Sequence, residues 1–400
     1  MASSRPPGGV HAVYALEAPP AVFGASIFLG GSSEEGWREE ALYLLKSRGF
    51  DGVVLSPEPR PGPESGRRQN LTAGDRDRLH AWQDEALQHC DLILMWLPPE
   101  ALSDFQVVEA WGQWHRSGKL ILGTPLREGP LVDTAHRRRI PIGNSLAELV
   151  AMAQQTVQPG AHRRGGERLV PISLWRSPSF QSWYRALTHA GHRLEGVEVE
   201  WTHRARGVSR PPFLWAVRPR IQVRGERRQL GGEVVIGRAD ISATVLYHRP
   251  PSAPLSETLV VLVREFRAAV RNRSGFAWML PGGSAARASE RSQDPRTTAA
   301  QEVLEETGLR LPPEQLEPVP LGDRQLLASL VSYHAQLFRA ALQPEQLAAL
   351  RVTADAGQPL GATPSERCYV TVRTLAELCA DPDLDWSQLG MLYCALAQER

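Results

Sequence analysis

The sequence predicts a multidomain chain: an N-terminal doubly wound α/β domain with a parallel sheet, then a C-terminal α+β domain. Three observations lead there. The chain has 400 residues, which at about 150 residues per domain is two to three domains. Between residues 21 and 155, short apolar runs alternate with amphipathic helical patterns, and each run is apolar along its whole length, as in parallel strands covered on both faces. From Gly231 the pattern changes to a series of strand candidates with few helices among them.

Residues 1–20 carry Pro6, Pro7, Pro19 and Pro20 and no continuous apolar core, so they read as a disordered lead-in and not as a signal peptide. In 21–155, Ala25-Ser-Ile-Phe-Leu29 is a strand ending at Gly30-Gly31-Ser32, and Trp37, Ala41, Leu44 and Leu45 mark a helix stopped by Gly49. Val53-Val-Leu55 is the next strand, followed by a Pro/Gly-rich loop to Gly66 and a helix with Leu79, Trp82, Ala86 and Leu87. Asp91-Leu-Ile-Leu-Met-Trp96 is a strand closed by Pro98-Pro99, and Val107, Val108, Trp111 and Trp114 line a helix. Lys119-Leu-Ile-Leu122 and a helix over Ser145 to Ala153 complete a flavodoxin-like order of elements. Residues 156–230 begin with a linker composition and continue as an intermediate segment without visible chemistry. A helix is expected there from Ser177 to Gly191, and strands at Leu194–Thr202 and Leu214–Val223. In 231–400, strands are expected at Val234–Ile236, Ala243–Tyr247, Thr258–Val263, Trp278–Leu280, Tyr333–Leu342 and Cys368–Val372. Helices are expected at Thr297–Thr307 and from Ser387 to Gln398.

Charge and cysteine content exclude several classes. Lys+Arg is 45 against Asp+Glu 44, so no global field draws nucleic acid or an anionic membrane. No apolar run approaches about 18 residues, so no membrane span is expected. Cys90, Cys368, Cys379 and Cys394 show no CxxC and no pairing rhythm, which points to a reducing, cytoplasmic setting.

The sharpest chemical signal is Gln301-Glu302-Val303-Leu304-Glu305-Glu306-Thr307-Gly308-Leu309. On a helix, Glu302, Glu305 and Glu306 share one face at i, i+3 and i+4. Asp294-Pro295 supplies an N-cap and a first-turn proline, and Gly308 a stop. Clustered carboxylates repel unless cations neutralise them, and hard oxygen ligands suit Mg²⁺ or Mn²⁺. With Pro281-Gly282-Gly283 upstream, the segment resembles the signature box of the Nudix hydrolases over about 150 residues. Val261-Leu-Val-Arg-Glu-Phe-Arg267 and Trp278-Met-Leu-Pro-Gly-Gly283 are similar to its ADP-ribose pyrophosphatase branch. The resemblance implies a Nudix fold, Glu302, Glu305 and Glu306 as metal ligands with Glu306 also catalytic, and Arg267, Gly282 and Gly283 at the substrate. It also implies Glu366, in Ser365-Glu-Arg-Cys-Tyr369, as a base or extra ligand. Gln301 stands where the box has arginine. The interval from Gly283 to Gln301 is 18 residues, four longer than the box, with Glu290 as the match for its early glutamate.

In the first domain, Gly30-Gly31-Ser32 between a strand and a helix is a candidate phosphate turn, or a plain tight turn. Ile27-Phe-Leu-Gly-Gly-Ser32 with Trp37, Trp82-Gln83, Asp91–Pro98, Glu109 and Lys119-Leu-Ile-Leu-Gly123 resemble the nucleoside 2-deoxyribosyltransferase-like proteins and their nucleotide N-glycosidase relatives. That resemblance implies Glu109 as a nucleophile on C1′ of the sugar. Ser103, beside Asp104, occupies the place of an acidic residue in that family. Trp82 and Asp84 are candidate substrate contacts, and Asp91 a structural residue.

The expected function is bifunctional: Mg²⁺- or Mn²⁺-dependent hydrolysis of a nucleoside diphosphate derivative, and cleavage or exchange of an N-glycosidic bond. The alternatives are a nucleotide sensor, or a Nudix hydrolase with an inert first domain. The expected partner is a nucleotide or nucleotide-sugar small molecule, with neither nucleic acid nor membrane, and with homo-oligomer formation left open.

Overall fold

The computed structural model describes residues 9–20, 23–34, 36–61, 72–203, 211–226, 228–284, 294–320, 322–361 and 367–397. The chain divides into two compact units, Met1–Arg238 and Ala239–Arg400. Among the described residues no helix is long and apolar enough to cross a membrane.

Unit 1 begins with β1 (Val10–Val13), β2 (Ser26–Gly31), α1 (Trp37–Ser47), β3 (Gly52–Leu55), α2 (Ala73–His89) and β4 (Leu92–Trp96). It continues with α3 (Phe105–Trp114), β5 (Leu120–Gly123), α4 (Pro130–Arg138), β6 (Ile142–Gly143) and α5 (Leu146–Val157). The strands form one parallel sheet in the order β1-β3-β2-β4-β5-β6. The fully apolar strands have side chains for both faces. Ile27, Leu29, Val54, Leu92, Leu94 and Ile121 pack under α1 and α5. Their neighbours Phe28, Val53, Leu55, Ile93, Met95, Leu120 and Leu122 pack under α2, α3 and α4. The alternation is the period-two geometry of a strand buried on both sides. Val10–Val13, which the sequence places in the lead-in, is an edge strand. It is too short to announce itself by periodicity and is held by parallel pairing with β3.

The rest of unit 1 is α6 (Ile172–Trp175), α7 (Pro178–His189), β7 (Arg193–His203), β8 (Leu214–Gln222), β9 (Gln229–Leu230) and β10 (Val235–Arg238). The helix and the two strands expected between Ser177 and Val223 are α7, β7 and β8. β10, β8 and β7 form an antiparallel sheet, with β9 on β8. Its core holds Trp215, Phe180, Leu174, Leu194 and Val217, with Trp175, Trp183 and Tyr184 packed against them. Val235 and Ile236 belong to this sheet, so the strand the sequence assigns to the C-terminal domain pairs with β8.

Asp91 ties the two parts of unit 1 together. Its Oδ2 accepts from Ser26 N at 2.9 Å and from Arg163 Nη2 at 2.7 Å, and its Oδ1 lies 2.5 Å from Arg163 Nη1. Arg163 also donates to Val170 O at 2.6 Å, and both charged side chains are buried. Lys119 is buried at the C-terminal end of α2, where its ammonium donates to the carbonyls of Leu87, Gln88 and Cys90 at 2.9, 2.8 and 3.2 Å. Those are unsatisfied last-turn carbonyls at the negative end of a helix, which a cation stabilises.

Unit 2 comprises β11 (Ile241–His248), β12 (Leu259–Phe266), β13 (Phe276–Met279), β14 (Gly282–Gly283), α8 (Pro295–Thr307), β15 (Glu317–Pro318) and β16 (Arg324–Gln325). It ends with β17 (His334–Ala341), α9 (Pro344–Ala356), β18 (Tyr369–Thr374), α10 (Leu375–Ala380) and α11 (Trp386–Leu396). A mixed sheet runs β13-β12-β11-β17-β15, with β14 on β11, β16 on β17 and β18 on β12. β11 and β17 are parallel, and the other pairs are antiparallel. α8 and α9 cover one side through Ala299, Val303, Leu347 and Leu350. α10 and α11 cover the other through Leu375, Leu378, Leu392 and Leu396.

Removing one half of a buried ion pair leaves the other charge uncompensated, which costs about 3–5 kcal/mol. Asp91→Ala should destabilise unit 1 by about that amount in urea unfolding, whereas Asp75→Ala, at an exposed capping box on α2, should cost about 1 kcal/mol. Equal effects would contradict the role given to Asp91.

Candidate functional site

In unit 2 the site is built on α8, β12 and β14. α8 starts at Pro295 in its first turn and stops at Gly308, left-handed with φ 73, as the sequence leads one to expect. Its apolar residues Ala299, Ala300 and Val303 are buried in the sheet-facing core. β14 lies across β11, with Gly283 opposite Ser242 and Gly282 opposite Ala243. Close approach to backbone requires glycine at Gly282, and at Gly283 the close neighbour is the Glu302 side chain. A Cβ at Gly282 would sit 2.4 Å from Ser242 O, and one at Gly283 would sit 2.4 Å from Glu302 Oε1. The strip is therefore thin enough for the α8 carboxylates to lie against the backbone.

Glu306 Oε2 accepts the Gly282 N–H at 3.0 Å. Burial, joined by the charges of Glu302 and Glu265, pushes its carboxyl up to about 8, against the opposing Gly282 hydrogen bond and the Arg267 charge. Glu265 on β12 pairs with Arg267 two residues on at 2.6 Å. Glu265, Glu306 and Cys368 bring one ligand atom each within 4.8 Å of one another. Glu305 instead accepts from Gln301 Nε2 at 2.7 Å, so the glutamine in the arginine position holds a carboxylate by a neutral hydrogen bond. Glu366 and Glu290 lie outside the described residues. Glu265 and Cys368 were not singled out from the sequence. The available signal was the alternation of Glu265 and Arg267 on one face of a strand, but the meeting of Glu265 with Cys368 is set by sheet register.

Unit 1 has a cavity of about 260 Å³ at the C-terminal ends of β2 and β4, lined among others by Gly30, Gly31, Arg38, Glu58, Gln83 and Asp104. Strands β3-β2-β4-β5-β6 follow the doubly wound order whose switch point falls between β2 and β4, where ligands of open α/β sheets bind. Arg38 is buried there. It donates to Leu29 O and Gly31 O at 3.3 Å each and to Glu58 Oε1 at 2.5 Å, and burial lowers its pKa while Glu58 opposes that.

The phosphate turn takes a different form from the expected one. Gly30 and Gly31 belong to β2, the Ser32 N–H is committed to Trp96 O at 2.9 Å, and α1 opens only at Trp37. Gly31, at φ 110, passes so close to β4 that a Cβ would meet Trp96 O at 2.2 Å. Trp82 donates from Nε1 to Glu17 O at 2.8 Å and packs against the core, and Asp84 is exposed. Glu109 is exposed on α3 and is not among the residues lining the cavity, where α3 contributes Val107, Ala110 and Trp114.

A raised carboxyl pKa has a stability consequence. Below about 4.5 the Glu306 proton is held in folded and unfolded chains alike. Between there and about 8 the folded chain keeps a proton that the unfolded chain releases, so stability falls as pH rises through that window. In EDTA the stability of unit 2 should drop between about pH 5 and pH 9 by on the order of 3–5 kcal/mol more than that of Glu306→Gln. Parallel pH profiles would show that Glu306 is not the buried acid described here.

No protein-family model and no curated protein matches the chain. Among solved structures, a mutT/nudix family protein from Listeria innocua is 19% identical with a TM-score of 0.28, covering 40% of this chain and 92% of its own. The Nudix domain of Shewanella oneidensis NrtR, solved with ADP-ribose, is 15% identical with a TM-score of 0.27, covering 40% of this chain and 88% of its own.

Proposed function

We propose that unit 2 is a Nudix-type pyrophosphohydrolase that cleaves a diphosphate bond in a nucleoside diphosphate derivative of the ADP-ribose kind. The observation that carries this reading is the burial of Glu306 against the Gly282 N–H, with Glu265 and Glu302 beside it, at the end of the Pro281-Gly282-Gly283 turn. Like charges are forced together where backbone is the nearest neighbour, which is the electrostatic preparation of a cation site. By the resemblance Glu302, Glu305 and Glu306 would hold a divalent ion, Mg²⁺ or Mn²⁺, with Glu265 close enough to Glu306 to join them. Such an ion, when bound, neutralises diphosphate charge and lowers the pKa of water.

The chain's own groups do the rest. Glu306 gives up its proton as the site is loaded and becomes an anionic acceptor. The Gly282 N–H fixes its orientation. Gln301 holds Glu305, and Arg267, paired with Glu265 and half exposed, offers positive charge to a phosphate arriving over β12. Glu366 enters as the base on the resemblance.

For unit 1, N-glycosidic cleavage or base exchange by Glu109 needs that carboxylate on the cavity wall, which carries Glu58 and Asp104 instead. The cavity favours binding of a small polar molecule beside Arg38. Free-base release that Glu109→Ala abolishes would reinstate the glycosidase.

The test is incubation of the full chain with ADP-ribose and a panel of nucleoside diphosphate derivatives plus divalent cation, with products read by mass. Glu306→Gln should lower kcat by on the order of 10²-fold or more, the scale of losing a group that stabilises transition-state charge. Undiminished turnover by this variant, or turnover in EDTA, would refute the assignment.

A further inference from the structure

We propose that the cation site of unit 2 is completed by sulfur: Cys368 Sγ joins Glu265 and Glu306 around one divalent ion, and the site selects a borderline or soft cation such as Zn²⁺, Co²⁺ or Cd²⁺ over Mg²⁺. The inference rests on the reading above and revises its metal: Glu306 is the shared ligand, and Glu265 and Cys368 stand in place of Glu302 and Glu305.

The three ligand atoms lie within 4.8 Å of one another. Four-coordinate ligands about 2.0–2.3 Å from one ion stand about 3.3–3.8 Å apart, so side-chain movements of about an ångström close the set. The three residues come from separate parts of the unit. Register pairs Arg264 with Tyr369, which sets Cys368 across from Glu265 at the end of the β12–β18 ladder. Cys368 is fixed a second time by Leu360. The Leu360 N–H donates to Cys368 O at 2.9 Å, and the Cys368 N–H donates to Leu360 O at 2.8 Å. At 2% exposure the thiol is a buried group aimed at two carboxylates and not a surface residue drifting near them.

The chemistry of the donors selects the metal. Mg²⁺ demands near-octahedral oxygen and keeps several waters. A thiolate favours zinc-like ions, which accept mixed sulfur and carboxylate sets in four-coordinate geometry. On binding, the S–H bond breaks, a metal–sulfur bond forms and the proton passes to solvent, with no change of oxidation state. The ordinary alternative is that Cys368 only fills space between strand and helix, in which case magnesium retains the site and the thiol never meets an ion.

The experiment titrates Cd²⁺ and Co²⁺ into the full chain carrying Cys379→Ser and Cys394→Ser, which removes the exposed and half-exposed thiols. The readout is thiolate-to-metal charge-transfer absorption. One equivalent should develop the band, Cys368→Ser should abolish it, and Glu265→Gln, which keeps the thiol, should weaken binding about tenfold or more. A band that persists in Cys368→Ser, or no band in a folded parent chain, overturns the inference. Diphosphate hydrolysis, measured separately, distinguishes the two readings. A chain with the band and no turnover with any cation keeps the sulfur ligand and loses the proposed function. A chain with magnesium-dependent turnover and no band does the reverse.

Discussion

A carboxylate held in a low-dielectric place without a full counter-charge is the constraint on which unit 2 turns. Glu306 is where α8, β12 and β14 converge, and among the described residues it meets one backbone N–H and the partial attraction of Arg267. Folding places it there because the apolar face of α8 must seat on the sheet, and the carboxylates follow on the adjoining arc of the same helix. The electrostatic penalty that results raises the carboxyl's pKa.

Asp91 solves the same problem the opposite way. It too is a buried acid, but the Ser26 N–H and hydroxyl and Arg163 meet its Oδ2, Arg163 also lies against its Oδ1, and its role is to fasten the α6–β10 part of unit 1 to the start of β4. The two acids differ in how their charge is met: Asp91 faces a guanidinium, whereas Glu306 lies beside further carboxylates.

What was legible in the sequence follows range. The helix α8, its proline start and glycine stop, and the long apolar strands of both units are written in local residue order, and the structure has them within a few residues. Helical spacing also puts the three glutamates on one face. The pairing of Val10–Val13 with β3 was not legible, because a four-residue edge strand carries too little pattern. Nor was the sheet of β7, β8 and β10. All three strands were visible, one of them assigned to the C-terminal domain, but the aromatic packing of Phe180, Trp183 and Trp215 that makes them a core joins residues far apart in the chain. Glu265 and Cys368 were missed for the same reason, since cross-strand register is a tertiary fact. The Gly30-Gly31-Ser32 turn misled because a glycine pair after a strand serves equally to let two strands approach, which is its use beside Trp96.

Lys119 has a consequence of a different sort. The chain has only two lysines, Lys46 and Lys119, and the second spends all three ammonium donors on the end of α2. In the native molecule Lys46 thus presents the sole ε-amino group open to acylating reagents, while the other becomes reactive when α2 and β5 come apart. The fold therefore carries a built-in chemical reporter of its own integrity: acylation at Lys119 marks molecules in which α2 and β5 have separated.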